Sequence, residues 1–437
     1  MKKGVWLSFL ISSLVILAIF ALNGQALAQA KPIKIGVVGP MSHASGKAIF
    51  NGVSMASDEI NSGGGINVDG QMLPIQLIRA DSNELMSVTD AATAVERLLA
   101  VDKVDFLIGG WKTDAVIAMV DTAVDYKRIM ITEGTHTDLS KRVKDNYNRY
   151  KYWFSAYFVI NELIMKGYMF TPVEMVRDIV KRELGVEKVK IALLLDKSSM
   201  TDPIVALAPK AFEKMGCEVV GIWRPSPNAT DVSAELLAIK NTGAHIIFVL
   251  MYGPAGLPFS NQWATYKVPA AIVGAIGEST YSTFWKSTSG KGEYVYTGVQ
   301  ILPVAITDKT IPFYDKYTKT YDQFPDIFSA YFYDNVYRLK AAIEKARSID
   351  SDKVVPALEQ LKHAGAAGTY SAHGMDSPFT HFNPVGPEGL MVLGAQWQKG
   401  KLVGVWPPLD GSFQGLKYKG TVPYQLPPWM VEHYKKK

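Results

Sequence analysis

Several short segments carry residues whose types and spacing suit the capture of a small charged solute. In GGWKTDA (Gly109 to Ala115) an apolar run ends in two glycines, and a helical pattern begins near Thr113 or Asp114. The glycines free the backbone, and the unpaired amides and dipole of a helix start favour an anion. Thr113 or Asp114 would also serve as a plain N-cap, and Trp111 would either wall a pocket or fill core. EGTHT (Glu133 to Thr137) ends the next apolar run. AIGEST (Ala275 to Thr280) sets Glu278 after a later one. A carboxylate there is the natural partner for a buried ammonium, which needs both pairing and hydrogen bonds. Tyr252 in LMYGPAG and Ser198 in LDKSSMTD end two further runs, and Ser42 and Ser45 follow the first. Tyr252 would stack on or hydrogen-bond a ligand, or else pack in the core or at a rim. Tyr157 would wall the cleft or pack in a hinge.

Motifs for bond-making chemistry are missing. The chain has no GxSxG elbow, no Walker A loop, no GxGxxG in a βαβ setting and no HExxH. The seven histidines are scattered, and His373 and His381 lack metal-ligand partners at useful spacing. GGGINVDG (Gly63 to Gly70) follows a helix and precedes a strand, the reverse of a phosphate loop. His136 reads as a solvent-facing loop residue. The expectation is a binder rather than an enzyme, without cofactor or metal.

These loops need strands and helices to hold them. Strands are expected at Ile33–Val38, Leu73–Arg79, Phe106–Gly109, Ile129–Thr132, Lys190–Leu195, Glu218–Trp223, Ile246–Leu250, Ala271–Val273 and Tyr296–Val299. Helical spacing marks Ala48–Ile60, Ser87–Leu99, Ala115–Val124, Pro203–Met215 and Val232–Asn241. Alternating β and α with continuous apolar strands means parallel sheets covered on both faces. The rhythm runs from Ile33 to Thr132, pauses in a helical stretch from Trp153 to Leu184, and restarts from Lys190 to Val273. Two doubly wound α/β lobes follow, with ligands expected beyond the carboxyl ends of the strands. A helix at Phe328–Arg347, a shorter one at Val354–Lys362 and strands at Leu390–Gln398 and Leu402–Trp406 come after. The tail from Trp406, rich in Pro, Tyr and Trp, predicts little regular structure.

The first 30 residues read as a secretory leader. Lys2 and Lys3 precede an apolar stretch, and ALAQA (Ala26 to Ala30) offers small residues for cleavage after Ala28 or Ala30. A membrane anchor is the competing reading of such a run. No later segment reaches spanning length without charges, so a periplasmic, soluble mature protein is expected. Cys217 is the only cysteine, which excludes an intramolecular disulfide and a lipid-modified N-terminus. It is expected as a small core residue. The formal charge of +5 falls to +3 without Lys2 and Lys3, too mild and too evenly spread for a nucleic-acid partner.

The ordered succession of these segments resembles the type I periplasmic substrate-binding proteins of the branched-chain amino-acid (leucine/isoleucine/valine-binding) ABC transporter class. IKIGVVGPMSHASG is similar to that family's first strand and loop, and NGVSMASDEINSGGGINVDGQMLPIQLI to its first helix, turn and second strand. KVDFLIGGWKTDA and IMITEGTHTDLS sit where the family carries two ligand-binding loops. NATDVSAELLAIKNTGAHIIFVLMYGP and VVPALEQLK…WQKGKLVGVWP resemble later segments. The resemblance covers the chain from Lys31 to Pro408.

It implies two lobes joined by a three-segment hinge, with the ligand cleft between them. The first lobe would be 31–155 with 302–380, the second 156–301 with 381–437. It also implies a small-molecule ligand, an amino acid or related small carboxylate, and ABC permease subunits as partners of a monomer. An envelope sensor, or a binder of an aromatic acid or amide, is the competing reading. By resemblance Thr113 would help hold a ligand carboxylate, Thr135 or Thr137 would add a hydroxyl, and Glu278 would meet an ammonium. Glu133 stands where the family often has Pro or a small residue. Met200 stands where it often has Tyr, which weakens any claim to a leucine-like ligand.

Overall fold

The chain, as a computed structural model, is described over residues 31–134, 137–198 and 200–435. The expected leader at 1–30 and the pair Thr135 and His136 lie outside the described residues.

The first strand, β1 (Ile33–Gly39), is buried at all but one of its positions. It therefore needs cover on both faces and a partner on both edges. It pairs in parallel with β4 (Ile75–Asp81) on one side and β5 (Phe106–Gly109) on the other. β6 (Met130–Thr132) and β7 (Trp153–Ser155) extend the sheet, giving the order β4-β1-β5-β6-β7. Helices α1 (Ala44–Ser62), α2 (Val88–Ala100) and α3 (Thr113–Asp125) connect the strands and cover the sheet. Between β1 and β4 the chain makes a small hairpin of β2 (Ile66–Val68) and β3 (Gln71–Leu73). The expected strand at Leu73–Arg79 is thus divided, because Pro74 cannot donate to a ladder.

Helix α4 (Pro172–Leu184) leads into the second parallel sheet. It comprises β8 (Val189–Leu195), β9 (Cys217–Trp223), β10 (Ile246–Met251) and β11 (Ala271–Ile276), in the order β11-β10-β8-β9. Cys217 is buried at the start of β9. β12 (Tyr296–Val299) does not continue this parallel set. It pairs antiparallel with β15 (Leu393–Gln398), which pairs antiparallel with β16 (Lys401–Trp406). A two-residue hairpin, β13 (His363–Ala364) with β14 (Thr369–Tyr370), lies between.

The segment from Trp153 to Leu184 is a correction. Trp153–Ser155 is the fifth strand of the first sheet, and helices occupy only Ile160–Met165 and Pro172–Leu184 of the rest. The run WFSAYF is apolar apart from Ser155, and such a run has no period to separate strand from helix.

Two main cores follow the two sheets. One gathers residues from Ile33 to Val159 with others from Phe332 to Phe382, and the other gathers Phe170 to Val304 with Met391 to Met430. The chain passes between them three times. A third cluster is built from those passages, including Tyr157, Phe158, Ile301, Tyr331, Val385 and Leu390. Helix α5 (Ile327–Ala346) returns to cover α1. Gly52 allows that approach, since a Cβ there would run into the Ser329 carbonyl. The tail packs on the second core through Tyr424 and a short helix α6 (Pro428–Lys435) carrying Trp429. No helix among the described residues is long and apolar enough to cross a membrane.

Candidate functional site

Strand order fixes where a cleft must open. In the first sheet the chain moves from β1 outward to β4, then to β5 on the other side. In the second it moves from β8 to β9, then back across to β10. Each reversal leaves a crevice beyond the carboxyl ends of two neighbouring strands. The loops at these points are 40–43 and 110–112 in the first sheet, and 196–201 and 252–255 in the second.

At the first crevice Trp111 donates from Nε1 to Ser45 Oγ at 3.0 Å, joining the two loops. Ser45 Oγ lies 2.8 Å from His43 Nδ1, which also accepts from the Ser45 amide at 3.3 Å. Ser45 is fully buried and ties Trp111 to His43. Ser42 is exposed beside it. The Trp111 ring packs 5.5 Å from that of Phe328.

Helix α3 begins at Thr113, with Lys112 as its N-cap and no capping side chain. The expected anion at this turn is partly supplied by the protein itself. Glu84, buried, accepts from the amides of Trp111 at 2.8 Å and Lys112 at 2.9 Å, and from Ser82 Oγ at 2.7 Å. The first bond of α3 runs from the Val116 amide to the Lys112 carbonyl. The amides of Thr113, Asp114 and Ala115 therefore have no intrahelical partner. Glu84 was missed because its partners lie 27 and 28 residues away in sequence.

Glu133 follows β6, its amide bonded to the Gly110 carbonyl at 3.0 Å. Its side chain is buried and its carboxyl is pushed up to about 8, first by burial and then by the Glu84 charge. The Gly134 amide opposes the shift. Thr137 caps the helix Asp138–Asp145 without a side-chain bond. Thr135 falls outside the described residues.

At the second crevice Asp196 plays the tying role. It is buried, and accepts from the Tyr252 amide at 2.9 Å and from Ser198 Oγ at 2.6 Å. Tyr252 is 42% exposed. Even so, burial by the surrounding protein and then the Asp196 charge push its hydroxyl up to about 12. Met200 is also exposed there. Glu278 sits half-buried in the 3-10 turn Gly277–Thr280. Burial raises its carboxyl and the proximity of His43, on the first sheet's loop, lowers it.

Two couplings link the rims. His43 faces Glu278. Tyr157 lies on the first passage between the cores, and its ionisation is suppressed by burial and then by the charges of Glu133 and Tyr252. The Tyr157 hydroxyl accepts from Gln300 Nε2 at 3.1 Å, and its ring lies 5.1 Å from that of Tyr331. Sequence reasoning missed His43, Gln300, Tyr331 and Asp196. Only Asp196, at a strand end, carried a local signal.

This arrangement can seat a small polar solute among amides, tyrosines and carboxyls. Among the described residues no group of His, Cys, Asp and Glu could hold a metal ion. A concavity of about 380 Å³ lined by Met55, Asp58, Glu59, Ser62, Lys316, Thr320 and Tyr321 lies elsewhere. The Lys316–Glu59 ion pair at 2.6 Å lines it, and it shares no residue with the strand-end loops.

Comparison with known proteins agrees with this geometry. "Leu/Ile/Val-binding protein homolog 7" of Brucella abortus is 24% identical over 409 residues, which span 90% of this chain and 96% of that protein. A crystal structure from Silicibacter pomeroyi matches with a TM-score of 0.73 at 20% identity, covering 91% of this chain and all of that one. The isoleucine complex of a branched-chain amino acid transporter substrate binding protein from Streptococcus pneumoniae matches with a TM-score of 0.62 at 22% identity, over 85% and 98% of the chains. A solute binding protein from R. palustris in complex with benzoate gives 0.60 at 17%, over 85% and 95%. The model of the family described as "Periplasmic binding protein" matches residues 32–382. With two doubly wound lobes and that match over most of its length, the chain belongs to the periplasmic binding protein family.

Proposed function

We propose that the chain is the periplasmic solute-binding component of an ABC importer and holds an amino acid or related small carboxylate by closure of its two lobes. The lobes are 31–155 with 302–380 and 156–301 with 381–437, and the closed form is what permease subunits receive. No bond is made or broken. The observation that carries the reading is the pair of strand-order reversals, which open a crevice beside Trp111 in one sheet and beside Tyr252 in the other. The free amides at Thr113–Ala115 suit a ligand carboxylate, and Glu278 suits its ammonium. Closure follows from differential affinity, because each lobe offers only part of these contacts.

The aromatic walls, Trp111, Tyr157 and Tyr252, favour an apolar or aromatic portion of the ligand. The benzoate complex of a structural relative makes an aromatic acid the second reading.

A thermal-shift screen of amino acids and aromatic acids tests the proposal. At about 100 times its dissociation constant a true ligand stabilises by roughly 2.7 kcal/mol. Small-angle scattering with that ligand should show a smaller radius of gyration. A screen without any shift, or an unchanged radius with a confirmed ligand, would count against it.

A further inference from the structure

We propose that Glu133 is a cation subsite of the cleft, so that the ligand carries a basic nitrogen on the first-lobe side besides any group met by Glu278. The solute class is a small diamino acid. This rests on the cleft reading above and deepens it.

Three buried carboxylates stand at the two crevices, and two of them are provided for. Glu84 accepts from two amides and a hydroxyl, and Asp196 from one of each. Such donors settle a buried negative charge. Glu133 receives only its neighbour's amide, at Gly134. No cation pairs with it among the described residues, and the ammonium of Lys112 is turned to the Leu85 carbonyl at 3.2 Å. A buried carboxyl without donors or a cation is costly as an ion.

Glu133 and Tyr157 follow the paired strand ends Thr132 and Ser155, and Glu84 from the loop after β4 and Tyr331 from α5 interact electrostatically with Glu133. The Tyr331 hydroxyl is fully buried and has no hydrogen-bond partner among the described residues. The Tyr157 hydroxyl accepts from Gln300 and still has its own proton to give. A negative potential from Glu84, an unprovided carboxyl and an unpartnered hydroxyl therefore meet at one end of the cleft. A primary ammonium supplies the charge and three donors to this set.

The chemistry has a measurable by-product. Near pH 7 the empty site keeps the Glu133 proton, since its carboxyl titrates at about 8. Seating an ammonium there expels that proton to solvent.

Calorimetric titration of the whole protein with L-lysine, L-ornithine, L-leucine and benzoate decides the matter, run at pH 7 in two buffers of different ionisation enthalpy. We expect lysine or ornithine to bind at least about tenfold tighter than leucine or benzoate, with roughly one proton released per ligand. Glu133→Gln should weaken the diamino acid by about tenfold or more and abolish the proton release. Tight binding of leucine or benzoate with no preference for the diamino acids would overturn this inference and leave the solute-binding reading standing. Diamino-acid binding that survives Glu133→Gln, or that releases no proton, would overturn it as well. Silence from all four probes would overturn this inference, and the wider thermal-shift screen would then decide the solute-binding reading. Should Glu133→Gln not fold, the ligand preference and proton count of the unmodified protein still decide.

Discussion

At the first crevice the carboxylate that ties the loops comes from outside both of them. Glu84 belongs to the turn after β4 and reaches the amides of Trp111 and Lys112. At the second crevice Asp196 belongs to the loop itself and ties Ser198, two residues on, to the amide of Tyr252. Both carboxylates are buried and both brace a crevice with hydrogen bonds. The difference lies in what surrounds them. Glu84 has a second carboxyl in its field, Glu133, whereas Asp196 has a hydroxyl, an amide and the Arg224 guanidinium, which donates to its backbone carbonyl at 2.8 Å. The first rim therefore stores electrostatic tension that the second does not, and it does so at the cleft.

The largest expected effect exposes that tension. Glu133 titrates at about 8 in the native protein against an ordinary value of 4.5. Between these values the native state holds a proton that the unfolded chain has lost. Without ligand, stability should be full below pH 4.5 and fall as pH rises through 8, at up to about 1.4 kcal/mol per pH unit. Urea unfolding of wild type and Glu133→Gln at pH 5, 6, 7 and 8 measures the slope. Equal slopes in the two proteins would erase the asymmetry between the rims.

Removing the braces comes next. Glu84→Ala leaves two amides and a hydroxyl without an acceptor and should cost about 2–4 kcal/mol at neutral pH. Asp196→Ala strands one amide and one hydroxyl, and should cost less, about 1–3 kcal/mol. If Asp196→Ala proves the more damaging in chemical denaturation, the ranking of the two crevices is reversed.

The smallest effect refines the first rim alone. Trp111→Phe keeps most of the ring but loses the Nε1 bond to Ser45. A cost of about 0.5–1.5 kcal/mol is expected. The His43 resonances should shift in NMR, because Ser45 is then free to reorient. An unmoved His43 spectrum would break the chain from Trp111 to His43 drawn above.

Strands and helices with a clear period were legible from the residues alone. β1, β5 and β10 fall within about two residues of their expected bounds, because continuous apolar runs between loops leave little choice. β7 was not legible, since WFS is three residues inside a longer apolar run. Nor was the antiparallel turn of β12, since strand direction is decided by a partner, β15, far away in sequence. The loops of the candidate site were found as strand ends, but their braces were not. Trp111, Glu133, Tyr252 and Glu278 announce themselves by type and position, whereas Glu84 sits in SNELM, a stretch that reads as an ordinary polar turn. The bonds of Ser45 to Trp111 and His43 were hidden for the same reason, because they are a matter of folding.

The pairing of β12 with β15 bears on how the chain is made. Tyr296 finds its cross-strand partner only at Gln396, and α5 reaches its seat on α1 only after the whole second parallel sheet has been synthesised. During synthesis each lobe thus waits for a later part of the chain. A product ending before Leu393 would hold a paired parallel sheet beside a strand with an open, apolar edge, the kind of surface that recruits other chains. The last turns of the sequence therefore act as a completeness check, and truncated copies should separate into aggregates while full-length ones do not.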